Sequence, residues 1–310
     1  MKIYSGESVE KLYKMALEDS FKSQVISSSR IGDVFDLGPV CFELDSNVIN
    51  FPLLQGRGLN PFFLFAEAAW VIDGRDELDI LRYYLDGYGA YSDDGMKLNG
   101  AYGYRIKHSF GFDQLVSAIE ELKKTPDSRR VVVSLYSPVD LKAASSSKDI
   151  PCNLSVLLKL RNGKLDMTVF NRSNDIYKGV PYNLFIFQFI QFYVAEALNV
   201  PLGVQRHVSD SLHLYKTDME SVKRIIDYGF YENVDDLKCR SGFSVYQDLV
   251  EGCSAINNRS YDDVTSPSLK SMFKAFQSFK QGDRNDLLSL SKSDDIIGLS
   301  VSDWLMVHYS

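Results

Sequence analysis

Apolar positions at helical spacing open the chain. Over residues 7–22, Val9, Leu12, Tyr13, Ala16 and Leu17 share one face and the acidic residues come early, which predicts a helix. Val34 to Leu44 alternates loosely and reads as a strand. Asn60-Pro61 then opens a helical stretch through Phe62, Phe65, Ala66, Ala69 and Trp70, with proline in the first turn and a stop at Asp73-Gly74. Residues 78–100 read as a short helix followed by a loop rich in Gly, Tyr and Asp, and Leu115 to Lys124 as a helix closed by Thr125-Pro126-Asp127. Val131 to Tyr136 is β-branched and apolar, hence a buried strand. Leu154–Leu160 and Leu165–Phe170 flank Arg161-Asn162-Gly163-Lys164, a hairpin signal because Asn-Gly tolerates positive φ. Leu184 to Leu198 is apolar on nearly every side, so this longest helix belongs in the core. Residues 218–228 are helical again. From about 230 onward short helices mix with Ser- and Asp-rich loops whose order the pattern does not give.

Strands and helices alternate without a βαβ rhythm, and neither GxGxxG nor a Walker loop is present, which favours an α+β domain over a doubly wound nucleotide fold. We expect one domain over 1–310, with an atypical segment from about 230. The 45% hydrophobic and 24% charged fractions are those of an ordinary globular protein. A net charge of −7, from 34 basic and 41 acidic residues, argues against a general nucleic-acid binder. The first residues lack a charged stretch leading into an apolar core, so no secretory signal is expected. Leu184 to Ala195 is the longest apolar run; it contains Gln188 and Gln191 and is too short to cross a bilayer. Cys41, Cys152, Cys239 and Cys253 are scattered with no CxxC pair, which predicts reduced thiols, a cytoplasmic location and no metal framework.

Candidate chemistry concentrates around the hairpin. Pro151-Cys152-Asn153, Asn171-Arg172-Ser173-Asn174-Asp175 and Lys178-Gly179-Val180-Pro181-Tyr182-Asn183 bring a thiol, an Arg-Ser pair, a carboxylate and an amide within 32 residues. Such a set can attack, anchor and read a pyrimidine nucleotide. A lone cysteine is ordinarily an inert core residue; an anion site and an amide reader beside it point to a reaction.

With Asp127-Ser128-Arg129-Arg130, Arg172-Ser173-x-Asp175-x-x-x-Gly179-x-Pro181-x-Asn183 and His213-x-Tyr215, the chain from about Arg30 to Tyr215 resembles thymidylate synthases and the related pyrimidine-nucleotide hydroxymethylases. The resemblance implies a central mixed β-sheet with a long buried helix and surrounding helices. It also implies addition of a Cys152 thiolate to C6 of dUMP, so that C5 captures a one-carbon unit from the cosubstrate 5,10-methylenetetrahydrofolate. Thiolate, not thiol, attacks, so basic neighbours such as Arg172 are expected. By the same resemblance Arg30, Arg172 and Ser173 form a phosphate site, completed by Arg129 and Arg130 from the second subunit of a homodimer; guanidinium forks suit a dianion. Taken alone, that arginine pair reads equally well as solvated surface charge.

Asn183 would read the pyrimidine edge, donating to O4 and accepting from N3–H of uracil; its other reading is a helix N-cap. Glu67, the lone charge on an apolar turn, would move protons at the ring, unless it is an exposed helix residue. Tyr102 would assist proton removal from C5. Asp175 and Gly179 would hold the pterin, and His213 and Tyr215 the 3′-hydroxyl.

Three positions depart from the synthase pattern. Asn153 follows the cysteine where histidine is usual, in the substrate-binding set. The tryptophan over the folate is missing, and the aligned loop offers only Tyr88 and Tyr91. Lastly, 95 residues follow Tyr215, and Trp304 to Ser310 does not resemble the usual closing tail. Each of the last two favours water over hydride as the acceptor, as does Ser211-Leu212-His213, which resembles the hydroxymethylase form. The reading is methyl transfer to dUMP, with hydroxymethylation of a uracil nucleotide as the alternative and a non-catalytic nucleotide-binding protein as the second.

Overall fold

In the computed structural model, which describes residues 1–45, 48–232 and 234–309, ten strands form two sheets. They are β1 (Lys2–Gly6), β2 (Ile26–Ser29), β3 (Gly32–Asp36), β4 (Val40–Asp45), β5 (Val132–Ser134), β6 (Asn153–Arg161), β7 (Lys164–Asn171), β8 (Asn174–Asp175), β9 (Leu202–Ser209) and β10 (Leu212–Tyr215). The larger sheet runs β1-β4-β9-β7-β6-β5 and the smaller β2-β3-β10-β8. Both are mixed: β1–β4, β7–β9 and β8–β10 pair parallel, the rest antiparallel. With helices around these sheets, the architecture is α+β.

The single strand expected over Val34–Leu44 is two strands in different sheets. Leu37-Gly38-Pro39 separates them, with Gly38 at φ 76° turning the chain. The hairpin forms as expected, its turn made by Asn162 (φ 50°) and Gly163 (φ 72°).

The Val180–Leu198 helix lies against the large sheet. Buried glutamines on both layers join them: Gln191 Nε2 of the helix donates to the Leu165 carbonyl at 2.7 Å, and the Leu184 carbonyl accepts from Gln205 Nε2 of β9 at 2.9 Å. Beside it every residue of the Pro61–Ile72 helix is buried. Asn60 caps that helix, its Oδ1 accepting from Phe63 N at 2.9 Å. Phe65 packs edge-on against Phe185 with ring centroids 5.2 Å apart.

The C-terminal stretch is more ordered than its composition suggests. It forms helices Val234–Ser241, Ser244–Asn257, Pro267–Lys280, Asn285–Leu290 and Ile296–Tyr309. Phe276 stacks on Phe62 at 4.6 Å and Trp304 meets it at 5.3 Å, so this layer shares one hydrophobic cluster with the Pro61–Ile72 helix. Of the tail singled out above, Ser310 lies outside the described residues. Among the described residues no helix is long and apolar enough to cross a membrane.

Candidate active site

Cys152 stands immediately before β6, where the β6–β7 register slips between Asn153 and Ser155. Such a bulge re-aims the chain. The far end of β7 closes over the thiol. Arg172 N donates to the Cys152 carbonyl at 2.9 Å, and Ser173 Oγ lies 3.7 Å from Cys152 Sγ in donor geometry. The Arg172 guanidinium grips the residues before the thiol, donating from Nη2 to the Ile150 carbonyl at 2.8 Å and from Nε to the Pro151 carbonyl at 3.1 Å.

Glu67 is buried, not exposed, and among the described residues no cation pairs with it: burial pushes its carboxyl up to about 7, opposed by the Tyr88 hydroxyl, which donates to Oε1 at 2.9 Å. Tyr91 packs edge-on to Tyr88 at 5.5 Å. Tyr102 opens the Tyr102–Lys107 helix, held close to the Glu67 helix because Gly103 has no Cβ; one there would sit 1.9 Å from the Val71 carbonyl oxygen. Burial and the nearby Cys152, Glu67 and Asp149 push the Tyr102 phenol well above its ordinary range. Tyr88, Tyr102, Glu67 and Cys152 therefore share one electrostatic neighbourhood.

The third wall comes from the turn after β8. Gly179 caps the Val180–Leu198 helix, so Asn183 lies inside it; the N-cap reading of Asn183 is overturned. Its Nδ2 donates to Asn174 Oδ1 at 3.1 Å, which leaves its own oxygen to accept. Gly179 makes room for that pair, since a Cβ there would fall 2.7 Å from Asn174 Oδ1. Asp175 Oδ1 accepts from the amides of Tyr177 (2.8 Å) and Lys178 (2.9 Å), yet burial still raises its carboxyl above the usual range. His213 pairs with Asp175 across the strands and meets Tyr215 edge-on at 5.3 Å.

The arginines divide. Arg30, on the β2–β3 turn, donates to the carbonyls of Ser147 (2.6 Å) and Lys148 (2.8 Å), beside the Cys152 segment. Arg129 and Arg130 are exposed just before β5, the edge strand of the large sheet. Asn153, next to the thiol, is fully buried and donates from Nδ2 to Asn171 Oδ1.

Sequence reasoning named Asn174 within its motif but gave it no role, and it missed Asp149, a carboxylate three residues ahead of the thiol. It also missed His207, buried on β9 and pushed down to about 3 by burial; its Nε2 is 2.9 Å from Gln205 Nε2.

The chain is 35% identical over 229 residues to a deoxyuridylate hydroxymethyltransferase of Bacillus phage SP01, covering 70% of this chain and 60% of that protein. It is 38% identical over 173 residues to the deoxyuridylate hydroxymethyltransferase of Pseudomonas phage M6, covering 55% and 49%. Over 241 residues it is 26% identical to the bifunctional dihydrofolate reductase-thymidylate synthase of Paramecium tetraurelia, covering 69% and 51%. The chain thus spans about half to three-fifths of the length of these relatives. The family model described as thymidylate synthase matches residues 31–242, more than half of the chain, and the protein belongs to the thymidylate synthase family.

Proposed function

We propose that this protein transfers a one-carbon unit from 5,10-methylenetetrahydrofolate to C5 of dUMP and that water, not hydride, completes the product, giving 5-hydroxymethyl-dUMP and tetrahydrofolate. The observation that carries this reading is the wall beside Glu67: two phenols, Tyr88 bonded to the carboxyl and Tyr91 packed on it. Hydroxyls hold water where a bare indole would exclude it. The relatives named deoxyuridylate hydroxymethyltransferase support the same choice.

In this reading Cys152 adds to C6 while Arg172, Arg30 and Ser173 hold the phosphate. Asn183 accepts N3–H and donates to O4, and His213 and Tyr215 take the 3′-hydroxyl. Glu67, titrating near neutrality, relays the proton at the ring, and Tyr102 assists removal of the C5 proton. The folate supplies the one-carbon unit; the buried Asp175 carboxyl, beside Gly179, is suited to its pterin N–H groups.

Homodimerisation belongs to the same proposal. The sheet face opposite the Val180–Leu198 helix carries Phe170 (37% exposed) and Val132 (51% exposed) around the Arg206–Glu43 ion pair of 2.6 Å. A second copy laid on that face would cover the apolar positions and bring Arg129 and Arg130 to the neighbouring phosphate site. A non-catalytic binder has less support, since binding alone has no use for a buried carboxyl left without a cation.

The test is incubation of purified protein with dUMP and methylenetetrahydrofolate, with the nucleotide identified by mass. A 5-hydroxymethyl product without dihydrofolate is expected; thymidylate with dihydrofolate would establish hydride transfer instead.

A further inference from the structure

We propose that Asp149 is the general base for the acceptor water, an inference that rests on the hydroxymethyl reading above. The segment from Ser147 to Cys152 is held residue by residue. Arg30 grips the carbonyls of Ser147 and Lys148, and Asp93 accepts from Ser147 Oγ (2.6 Å) and Lys148 N (2.7 Å). Asp149 Oδ2 accepts from Gly100 N at 2.7 Å, Arg172 takes the carbonyls of Ile150 and Pro151, and Ser173 reaches the thiol. The Asp149 carboxylate is therefore fixed relative to the nucleophile three residues on. It lies against the backbone just before Tyr102, where only glycine leaves room: a Cβ on Gly100 would fall 2.5 Å from Oδ1.

The charges around it leave it basic. Arg105, a cation that acts on it, is taken up by Asp140 through hydrogen bonds of 2.6 and 2.9 Å, and Asp93 adds a like charge. Burial outweighs the help of the Gly100 and Asn99 amides and raises the Asp149 carboxyl above its ordinary value. The phenols of Tyr88 and Tyr102 both feel its charge, as they feel that of Glu67. Glu67 is left to the ring proton, since its Oε1 already receives the Tyr88 hydroxyl.

The step balances without a redox partner. Loss of tetrahydrofolate leaves an exocyclic methylene on C5 of the nucleotide, still bonded through C6 to Cys152. Water oxygen bonds to the methylene carbon as Asp149 takes its proton, and the double-bond electrons move to the ring as an enolate. The enolate re-forms C5=C6 and expels the Cys152 thiolate, giving the 5-hydroxymethyl nucleotide.

Asp149→Asn keeps an oxygen for the Gly100 amide but no base. We expect hydroxymethyl formation to fall by ~10²-fold or more. Covalent capture of 5-fluoro-dUMP should persist, with the melting temperature moved by no more than about 2 °C. Added β-mercaptoethanol should divert the stalled methylene to a thioether nucleotide, detected by mass, in the variant far more than in wild type. An unchanged hydroxymethyl rate overturns the proposal, as does parallel loss of adduct and melting temperature, which would make Asp149 a loop staple. Wild type forming thymidylate would remove the hydroxymethyl reading and this step with it; wild type forming the hydroxymethyl product beside an unaffected variant would remove only the step.

Discussion

The Pro61–Ile72 helix faces two unlike neighbourhoods. Toward Cys152 it offers Glu67, a buried carboxyl with a single phenol for company. Toward the C-terminal layer its contacts are saturated: Phe62 packs on Phe276 and Trp304, and the Ala69 carbonyl accepts from Asn257 Nδ2 at 3.1 Å. Buried charge in that layer is fully partnered. Asp303 accepts from the amides of Gly56 (2.7 Å) and Gly58 (2.6 Å) and from the Tyr231 hydroxyl (2.7 Å), and Lys238 is paired with Glu10. One helix thus separates a region where charge is left short of partners from one where every buried charge described is answered. The first arrangement suits proton transfer; the second suits rigidity.

Cys152→Ser should break the reactive side alone and by the largest margin. Covalent capture of 5-fluoro-dUMP in the presence of the folate should vanish and turnover should fall at least ~10⁴-fold. Urea unfolding should stay within about 0.5 kcal/mol of wild type, as for a substitution outside the packed core. Adduct formation by the serine variant would show that the nucleophile lies elsewhere.

Trp304→Ala is the mirror experiment. The indole is 5% exposed and meets Phe62, Phe279 and Tyr309 at 5.0–5.7 Å. Its loss should cost about 3–5 kcal/mol in denaturant unfolding, while capture of 5-fluoro-dUMP per folded molecule persists. Loss of capture at full stability would mean that the C-terminal layer takes part in the chemistry.

Glu67→Gln sharpens the contrast by trading function for stability. In the folded protein Glu67 titrates near 7 against an ordinary 4.5, so folding favours its protonated form. That stability is fully present below pH 4.5 and is lost as pH rises through about 7. The glutamine variant, which never ionises, should match wild type near pH 4 and exceed it by up to about 3 kcal/mol above pH 8. Turnover should meanwhile fall ~10²-fold or more. Equal stability across that pH range would show that the carboxyl is not isolated.

Asn183→Asp makes the smallest change. An aspartate opposite the pyrimidine edge should shift the ratio of kcat/KM for dUMP and dCMP by about 10–100-fold toward dCMP. An unmoved ratio would remove Asn183 as the base reader.

Much of this was legible along the chain because its causes are local. Asn-Gly between two apolar strands dictates the hairpin, Asn60-Pro61 starts the Glu67 helix, and unbroken apolarity from Leu184 to Leu198 demands a core helix. The order of thiol, arginine, carboxylate and amide likewise marked the family. Where causes are distant, pattern failed. The β9 strand escaped notice because Gln205, His207 and Ser209 face inward, satisfied or tolerated only by a helix and strands far away in sequence. The split at Gly38 depends on which sheet each half joins, and the C-terminal helices on aromatic partners in the Pro61–Ile72 helix.

The sequence by itself therefore determined which groups this protein has for chemistry and the local elements that carry them. The tertiary structure alone decided how those groups are charged and aimed. It took solvent from Glu67, buried Asn153 against Asn171, set Asn183 inside a helix against Asn174, and fixed Asp149 on the Gly100 amide. Residue type gives a side chain its ordinary pKa and hydrogen-bonding capacity; burial and neighbours, which depend on the whole chain closing on itself, shift them.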